Sequence, residues 1–323
     1  MRVLVTGGAG FVGAHVVAGL AAAGHEVVAL HRGPLDPERA RLIGASAAVA
    51  PVFLQGDVRD DEQLERVLQS ERPTHVVHAA ALTPNRAQER TDSRRIVETN
   101  ELSTLTLLVA AVRHHVTRFL YVSSAAVYAS GDAERPLDEE APLCDPCGLY
   151  AVTKLGGERL CRWASQTLAI DVRAVRLGPV YGPFERSSAS RPNVSAVCLA
   201  AHLALAGEPL RCNAPHARQD WIHGDDAARA VGSLLTTPLL RHDVYNLAGP
   251  SVRMDRLFAV IGDAIPHTRV EWVAAPEQAN VPVRTDQARG PLDWHRLVED
   301  TGFRPRFTIE SGVRHYVTCV SHR

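Results

Sequence analysis

Hydrophobic residues recur along the first 180 positions in two different periods. Short unbroken apolar runs, bounded by glycine or polar residues, read as buried strands at 2–6 (with Val3, Leu4 and Val5), 26–31, 52–55, 74–81, 119–124 and 170–175. Between them, apolar residues three or four apart predict helices. These fall at 15–23 (Val16, Val17, Leu20), 62–69, roughly 97–114 (Leu102, Leu105, Leu108, Val109, Val112) and 150–166. Strand alternating with helix five times over predicts an α/β protein: a Rossmann-type, doubly wound parallel sheet covered on both faces. Later positions predict helices at 194–206 and 225–235, short strands at 210–212 and 220–222, and a strand at 244–247 that returns to the main sheet. Residues 1–176, with returning segments about 216–264, are therefore expected to form the main domain. Residues about 177–215 and 265–323 are expected to form a smaller, interleaved C-terminal lobe.

Composition narrows the class. A net charge of −1 over 323 residues gives no basic face for nucleic acid and no polybasic tract for a membrane surface. The longest apolar runs, such as Leu105–Val112, are too short to span a bilayer. The chain enters a strand and a glycine turn at once, so no secretory leader is expected. Six cysteines, at 144, 147, 161, 198, 212 and 319, are sparse for this length and fit reduced thiols in the cytoplasm. Cys144-Asp-Pro-Cys147 has no second ligand pair at zinc spacing, and reads as two loop cysteines. His223 beside Asp225 and Asp226 reads as a packed strand-end histidine next to a helix cap, so no metal site is expected.

The chemistry starts at the N-terminus. Thr6-Gly7-Gly8-Ala9-Gly10-Phe11-Val12-Gly13 leaves a buried strand and opens a helix, which is the context of a dinucleotide fingerprint. Gly7 permits the tight turn, Gly10 lets the backbone approach a pyrophosphate, and Gly13 lets helix and strand pack closely. The helix N-terminus then faces the phosphates. The second strand ends Ala29-Leu30-His31-Arg32, without the carboxylate that accepts from the adenosine ribose of NAD. A basic pair there suits the 2′-phosphate of NADP, although Arg32 can also stack on adenine or face water. The cofactor is thus read as NADP or NAD, with NADP favoured. Asp57 at a strand end suits the adenine amino group. The small residues Ala79, Ala80 and Ala81 let a flat cofactor lie against the backbone, and the polar stretch from Thr83 to Arg95 walls a substrate cleft. Asn100 is either a cofactor contact or a polar residue of the helix surface. Tyr150 and Lys154, four residues apart, share a helix face. A nearby ammonium favours the phenolate of a tyrosine whose ordinary pKa is about 10. Ser124, ending a neighbouring strand, can hold the same substrate oxygen.

These motifs resemble the extended short-chain dehydrogenase/reductases, in the branch called NAD-dependent epimerase/dehydratase. The likeness rests on Thr6–Gly13, Gly56-Asp57-Val58, His78-Ala-Ala-Ala81, Ser123-Ser124-Ala-Ala-Val-Tyr128, Tyr150–Lys154, Arg176–Pro183 and Asp220-Trp-Ile-His-Gly-Asp225-Asp226, in order along nearly the whole chain. The resemblance implies Tyr150 as acid/base, Lys154 on the nicotinamide ribose and Ser124 orienting the substrate. It implies further cofactor contacts from Phe11, Val12, Val58, Leu177, Pro179 and Val180. Ala125, Arg191, Asn193 and Gln219, with Thr83, are the implied substrate contacts. It also implies a homodimer packed through the 97–114 and 150–166 helices.

Family members most often handle nucleoside-diphosphate sugars, and two departures bear on that. Gln219 stands before Asp220-Trp221, where an arginine commonly holds the diphosphate, and Ala274–Asp286 carries Arg284 without the usual Arg-x-Gly-Asp-like stretch. Sugar-nucleotide 4,6-dehydratases carry Asp-Glu after the catalytic hydroxyl, where this chain has Ala125-Ala126, so dehydration is not expected. The reading is an NAD(P)-dependent oxidoreductase moving hydride at a secondary alcohol or ketone of a sugar-like small molecule. Its rivals are a nucleotide-sugar 4-epimerase with tightly held NAD and, remotely, a non-catalytic dinucleotide sensor.

Overall fold

The computed structural model describes residues 1–144, 148–283 and 288–321. The first half alternates β1 (Arg2–Thr6), α1 (Phe11–Ala22), β2 (Glu26–His31), α2 (Pro37–Gly44), β3 (Val52–Gln55), α3 (Asp61–Glu71) and β4 (His75–His78). Two short helices follow, α4 (Arg86–Thr91) and α5 (Ser93–Val97). A wide turn of π type at Glu98–Leu102 then leads into α6 (Ser103–Arg113), β5 (Arg118–Ser124), α7 (Leu149–Thr167) and β6 (Asp171–Leu177). The second half holds β7 (Val180–Tyr181), α8 (Ala196–Leu205), β8 (Leu210–Cys212), β9 (Arg218–Gln219), β10 (Ile222–His223), α9 (Gly224–Thr236) and β11 (Val244–Leu247). It closes with β12 (Val252–Arg253), α10 (Met254–Ala264), β13 (Val270–Trp272), α11 (His295–Thr301) and α12 (Ile309–Ser321).

Seven strands form one parallel sheet in the order β11-β6-β5-β4-β1-β2-β3. The strands are apolar on both faces because both faces are covered. Val3, Val5, Val27, Ala29, Val77, Leu120 and Val175 pack under α1 and α9. Their neighbours Leu4, Val28, Val76, Phe119, Tyr121 and Val172 pack under α3, α6 and α7. Period-two alternation thus assigns each residue to one helical layer.

A third core joins α8, α10 and α12 around Val197, Leu257, Phe258, Ile261, Val313 and Tyr316. The sequence groups α10 with the returning segments, whereas its buried face packs in this lobe. Conversely Leu297 of α11 and Phe303 pack into the core under α1 and α9.

The helix read over 97–114 is broken into α5, the wide turn and α6. The turn has a local cause. Asn100 is fully buried, and its amide exchanges hydrogen bonds with Leu82 (Nδ2 to Leu82 O, 2.9 Å; Leu82 N to Oδ1, 2.7 Å) while also donating to Thr153 Oγ1 at 3.2 Å. Asn100 thus ties β4's exit to α7. Cys161, Cys198, Cys212 and Cys319 are free thiols. Cys144 is in a disulfide, which departs from an all-reduced set; Cys147 and Arg284 lie outside the described residues.

Candidate active site

The glycine turn is shaped by what it excludes. Gly7 has φ +70°, and a Cβ on it would lie 2.8 Å from Ala80 Cα. A Cβ on Gly13 would lie 2.1 Å from Gly7 O, so no other residue fits against the turn. Helix α1 starts from Gly10, whose missing side chain leaves the first N–H groups without a side-chain cap. Twelve residues of aligned dipole end there, which suits an anion. Phe11 is buried and Val12 half-buried; Ala79 and Ala80 line the turn after β4, and half-buried Ala81 follows them. Arg39, which sequence reading missed, fixes the turn's outer edge: its guanidinium donates to Ala9 O and Phe184 O.

Tyr150 lies in the first turn of α7. Burial raises its phenol above the ordinary value, opposed by hydrogen bonding with Ser124, the positive charge of Arg191 and hydrogen bonding with Thr83. The structure thus brings Ser124, Tyr150, Thr83 and Arg191 together from β5, α7 and two loops. Arg191 also spans to the glycine turn, its guanidinium 5.0 Å over the Phe11 ring while Nη2 donates to Glu185 Oε1 at 2.8 Å. Thr83 N donates to Ser190 O at 2.8 Å, so the two cleft walls hold each other. Lys154 follows one turn after Tyr150, and its Nζ donates to Val122 O at 2.8 Å and sits 4.9 Å over the Tyr121 ring. Burial brings its pKa down to about 8. The positive end of α7 is held by Glu89 of α4, whose Oε1 accepts from Tyr150 N at 3.2 Å.

The remaining candidates are spread more widely. Ala125 is buried in a tight turn after Ser124, whose Oγ accepts from Ala126 N at 3.2 Å. Leu177, half-buried Pro179 and Val180 run along the exit of β6. Gln219 is half-buried opposite Val252, and Asn193 is exposed. Val58 is buried. His31 is buried too, its Nδ1 bonded to Gly33 O at 2.7 Å, so its ring turns inward and only Arg32 is exposed at the end of β2. Asp57 is gripped by Arg59, with Nη2 to Oδ2 at 2.7 Å and Nε to Oδ1 at 3.1 Å, and this pairing holds its carboxyl below the usual range.

His223 behaves as a packed histidine. Its Nδ1 accepts from Asp225 N at 3.1 Å, its Nε2 meets His315 Nδ1 at 3.1 Å, and its ring stacks on Phe307 at 4.0 Å. Donor atoms of His223, Asp225 and His315 lie within 4.8 Å of one another, but both nitrogens of His223 are already engaged by protein groups.

Two buried imidazoles set an acid limit. Burial lowers the pKa of both His78 and His223 to about 3; His78 is held between Thr6 Oγ1 at 2.7 Å and Thr104 Oγ1 at 3.1 Å. Unfolded chains bind these protons from about pH 6.5 downward while the native protein does not, so stability falls as pH drops from about 6.5 toward 3. The full drop approaches about 5 kcal/mol for each histidine. Urea unfolding at pH 7, 5.5 and 4.5 should show this, and His78→Gln should flatten the slope. An unchanged slope in that variant would remove His78 from the account.

The parallel sheet, its glycine turn at the β1–α1 junction, Ser124 at the end of β5 and Tyr150 with Lys154 on α7 define a Rossmann-type dinucleotide-dependent enzyme. The chain belongs to the NAD dependent epimerase/dehydratase family, which it matches over residues 3–248. A dTDP-glucose 4,6-dehydratase of Xanthomonas campestris pv. campestris (strain B100) is 27% identical over 96% of this chain and 90% of its own length. The UDP-glucose 4-epimerase of Thermus thermophilus, solved with NAD, has a TM-score of 0.82 and 27% identity over 99% of each chain. The UDP-glucose-4-epimerase of Stenotrophomonas maltophila, with bound NAD and formylated UDP-arabinopyranose, shares the fold at a TM-score of 0.86, with 24% identity over 100% of this chain and 98% of that one. Among the described residues no helix is long and apolar enough to cross a membrane.

Proposed function

We propose that the protein oxidises or reduces a secondary alcohol or ketone of a sugar-like small molecule, with hydride passing between that carbon and a bound nicotinamide. The observation that carries this reading is the meeting of Tyr150, Ser124 and Thr83 beside Arg191 and the Phe11 end of the glycine turn. The residues at the turn fit a dinucleotide, because a bare helix N-terminus and small side chains leave its phosphates and rings room. The cofactor supplies or accepts the hydride. Tyr150 passes the proton to or from the substrate oxygen, Ser124 and Thr83 orient that oxygen, and Lys154 holds the nicotinamide ribose and keeps positive charge near the phenol. Gln219 and exposed Asn193, from the lobe of residues 177–215 and 265–323 and its border, extend the substrate contacts. Exposed Arg32 without a β2 carboxylate favours NADP. Ala125 and Ala126 offer no carboxyl group to eliminate water, which argues against a dehydration step here.

The second reading is an epimerase that returns hydride to the same carbon; the 27% identity to the Thermus 4-epimerase over 99% of both chains favours it. Mass spectrometry of the dinucleotide carried by the purified protein, with and without nucleotide sugars, separates the two. Dissociable NADP(H) and indifference to nucleotide sugars support the reductase. Stoichiometric NAD with thermal stabilisation by a UDP- or dTDP-sugar overturns it in favour of the epimerase. The exposed side chains Leu102, Val152 and Trp163, at the turn before α6 and along α7, suit pairing of two copies through those helices.

A further inference from the structure

The loop that leaves β7 is strained at one residue, and two side chains from α1 and α2 hold it there. Phe184 has φ +71°, a left-handed conformation that glycine adopts freely and a bulky residue does not. Such a residue persists only where its surroundings fix it. Arg39 of α2 is buried, and its Nη2 donates to Phe184 O at 2.8 Å. Its guanidinium lies 5.8 Å from the centre of the Phe184 ring, and Nη1 donates to Ala9 O in the glycine turn. His15 Nε2 bonds Pro183 O, and the His15 ring meets the Phe184 ring edge-on at 5.0 Å. One planar fork thus sets the spacing between the glycine turn and the β7 loop. A lysine keeps the charge but presents no fork to reach both carbonyls.

The next residue carries this constraint into the cleft. The Glu185 side chain has no exposed surface. Its carboxylate accepts from Ser195 N at 2.7 Å and Ser195 Oγ at 2.6 Å, where α8 begins, and from Arg191 Nη2 at 2.8 Å. Arg191 in turn lies 5.0 Å over the ring of Phe11, the first residue of α1. The path closes on itself, from Ala9 through Arg39, Phe184, Glu185 and Arg191 back to Phe11. Burial raises the Tyr150 phenol, and Arg191 supplies a positive charge that opposes it.

We propose that Arg39 is a positioning residue: by fixing Phe184 against the glycine turn it orders Glu185 and so sets Arg191 over the dinucleotide site. The proposal rests on the dinucleotide reading above and, for its turnover arm alone, on the oxidoreductase reading. Binding of NADPH and NADH to the whole chain, freed of any carried dinucleotide and followed by nicotinamide fluorescence, tests it through a double-mutant cycle. Arg39→Lys and Arg191→Gln should each weaken the better-bound dinucleotide about tenfold, the scale of one hydrogen bond to a charged group. The double variant should be no more than about twofold weaker than either, because the first change acts through the second residue. Glu185→Gln should behave as Arg39→Lys does, and tests the same link if the lysine variant does not fold. In turnover, Arg39→Lys should move the phenolate limb of alcohol oxidation to higher pH, since the phenol loses a positive charge beside it. In the Arg191→Gln background the same change should leave that limb in place. Additive losses of affinity, or an Arg39→Lys protein that binds as the parent does, overturn the proposal. Coupled losses without alcohol or ketone turnover leave the positioning role standing and end the oxidoreductase reading. Turnover with additive losses does the reverse, and a parent protein that binds neither dinucleotide overturns both.

Discussion

Tyr150→Phe is expected to lower kcat by about 10² to 10⁴, the range for removing a positioned acid/base. The variant should remain folded and still take up dinucleotide. The ring stays in place, and only the hydroxyl that meets Ser124 and Thr83 is lost. The pH profile gives a second reading of the same group. Burial holds the phenol above its ordinary value, and Lys154, with its own pKa near 8, lies one turn on. Oxidation of an alcohol should therefore gain rate as pH rises, because it needs the phenolate, and Lys154→Met should displace that limb upward. A Tyr150→Phe protein that kept more than a tenth of the parent rate would end Tyr150's assignment as acid/base.

The largest stability effect of a single substitution at neutral pH should come from behind the site. Arg176 on β6 binds Glu158 on α7 through Nη2 to Oε2 at 2.8 Å and Nε to Oε1 at 3.0 Å, both side chains nearly inaccessible. Ser123 donates to the same carboxylate, while Arg176 Nη1 donates to Tyr128 OH and Glu139 O, both at 2.9 Å. Tyr128 donates onward to Asn246 of β11 at 2.7 Å. One ion pair thus joins the helix of Tyr150 to three neighbouring strands. Arg176→Met strands a buried carboxylate, and Glu158→Leu strands a buried guanidinium. Each should cost about 3–5 kcal/mol in urea unfolding. The double variant should recover much of the loss, since an apolar pair of similar volume avoids the desolvation cost. Single variants within about 1 kcal/mol of the parent would show that water reaches the pair.

The elements around the cofactor are legible in the sequence because their signals are local. The reading of β1, β2, β3 and β11 agrees with the structure residue for residue, since a doubly covered strand is an apolar run with polar ends. Glycines 7, 10 and 13 announce the turn, because only their spacing fits its contacts. The stretch that forms α4 reads only as a polar wall of the cleft, because its six residues carry no apolar face; an Asn85–Gln88 capping box fixes it. The break between α5 and α6 is hidden because it depends on Asn100 meeting Leu82 and Thr153, partners that adjacency in sequence does not suggest. The same holds at the site. Tyr150, Ser124 and the turn carry their own motifs, whereas Glu89, Arg39 and the Arg176–Glu158 pair act through contacts between distant segments. Asp57 is read from its strand end; its capture by Arg59 is visible only once the loop is folded.

The strand order sets a timetable for synthesis. Strand β6 ends at Leu177, but its outer neighbour β11 begins only at Val244, after the chain has built part of the lobe. At roughly 5–20 residues per second, the intervening stretch of roughly 65 residues takes about 3 to 13 seconds to emerge. For that interval the nascent sheet has a seven-residue, mostly apolar strand standing open at its edge, with unpaired N–H and C=O groups. The ribosome-bound chain is most prone to edge-to-edge aggregation then, and slow codons or chaperone contacts between residues 178 and 243 would change the yield of folded protein without changing the finished molecule.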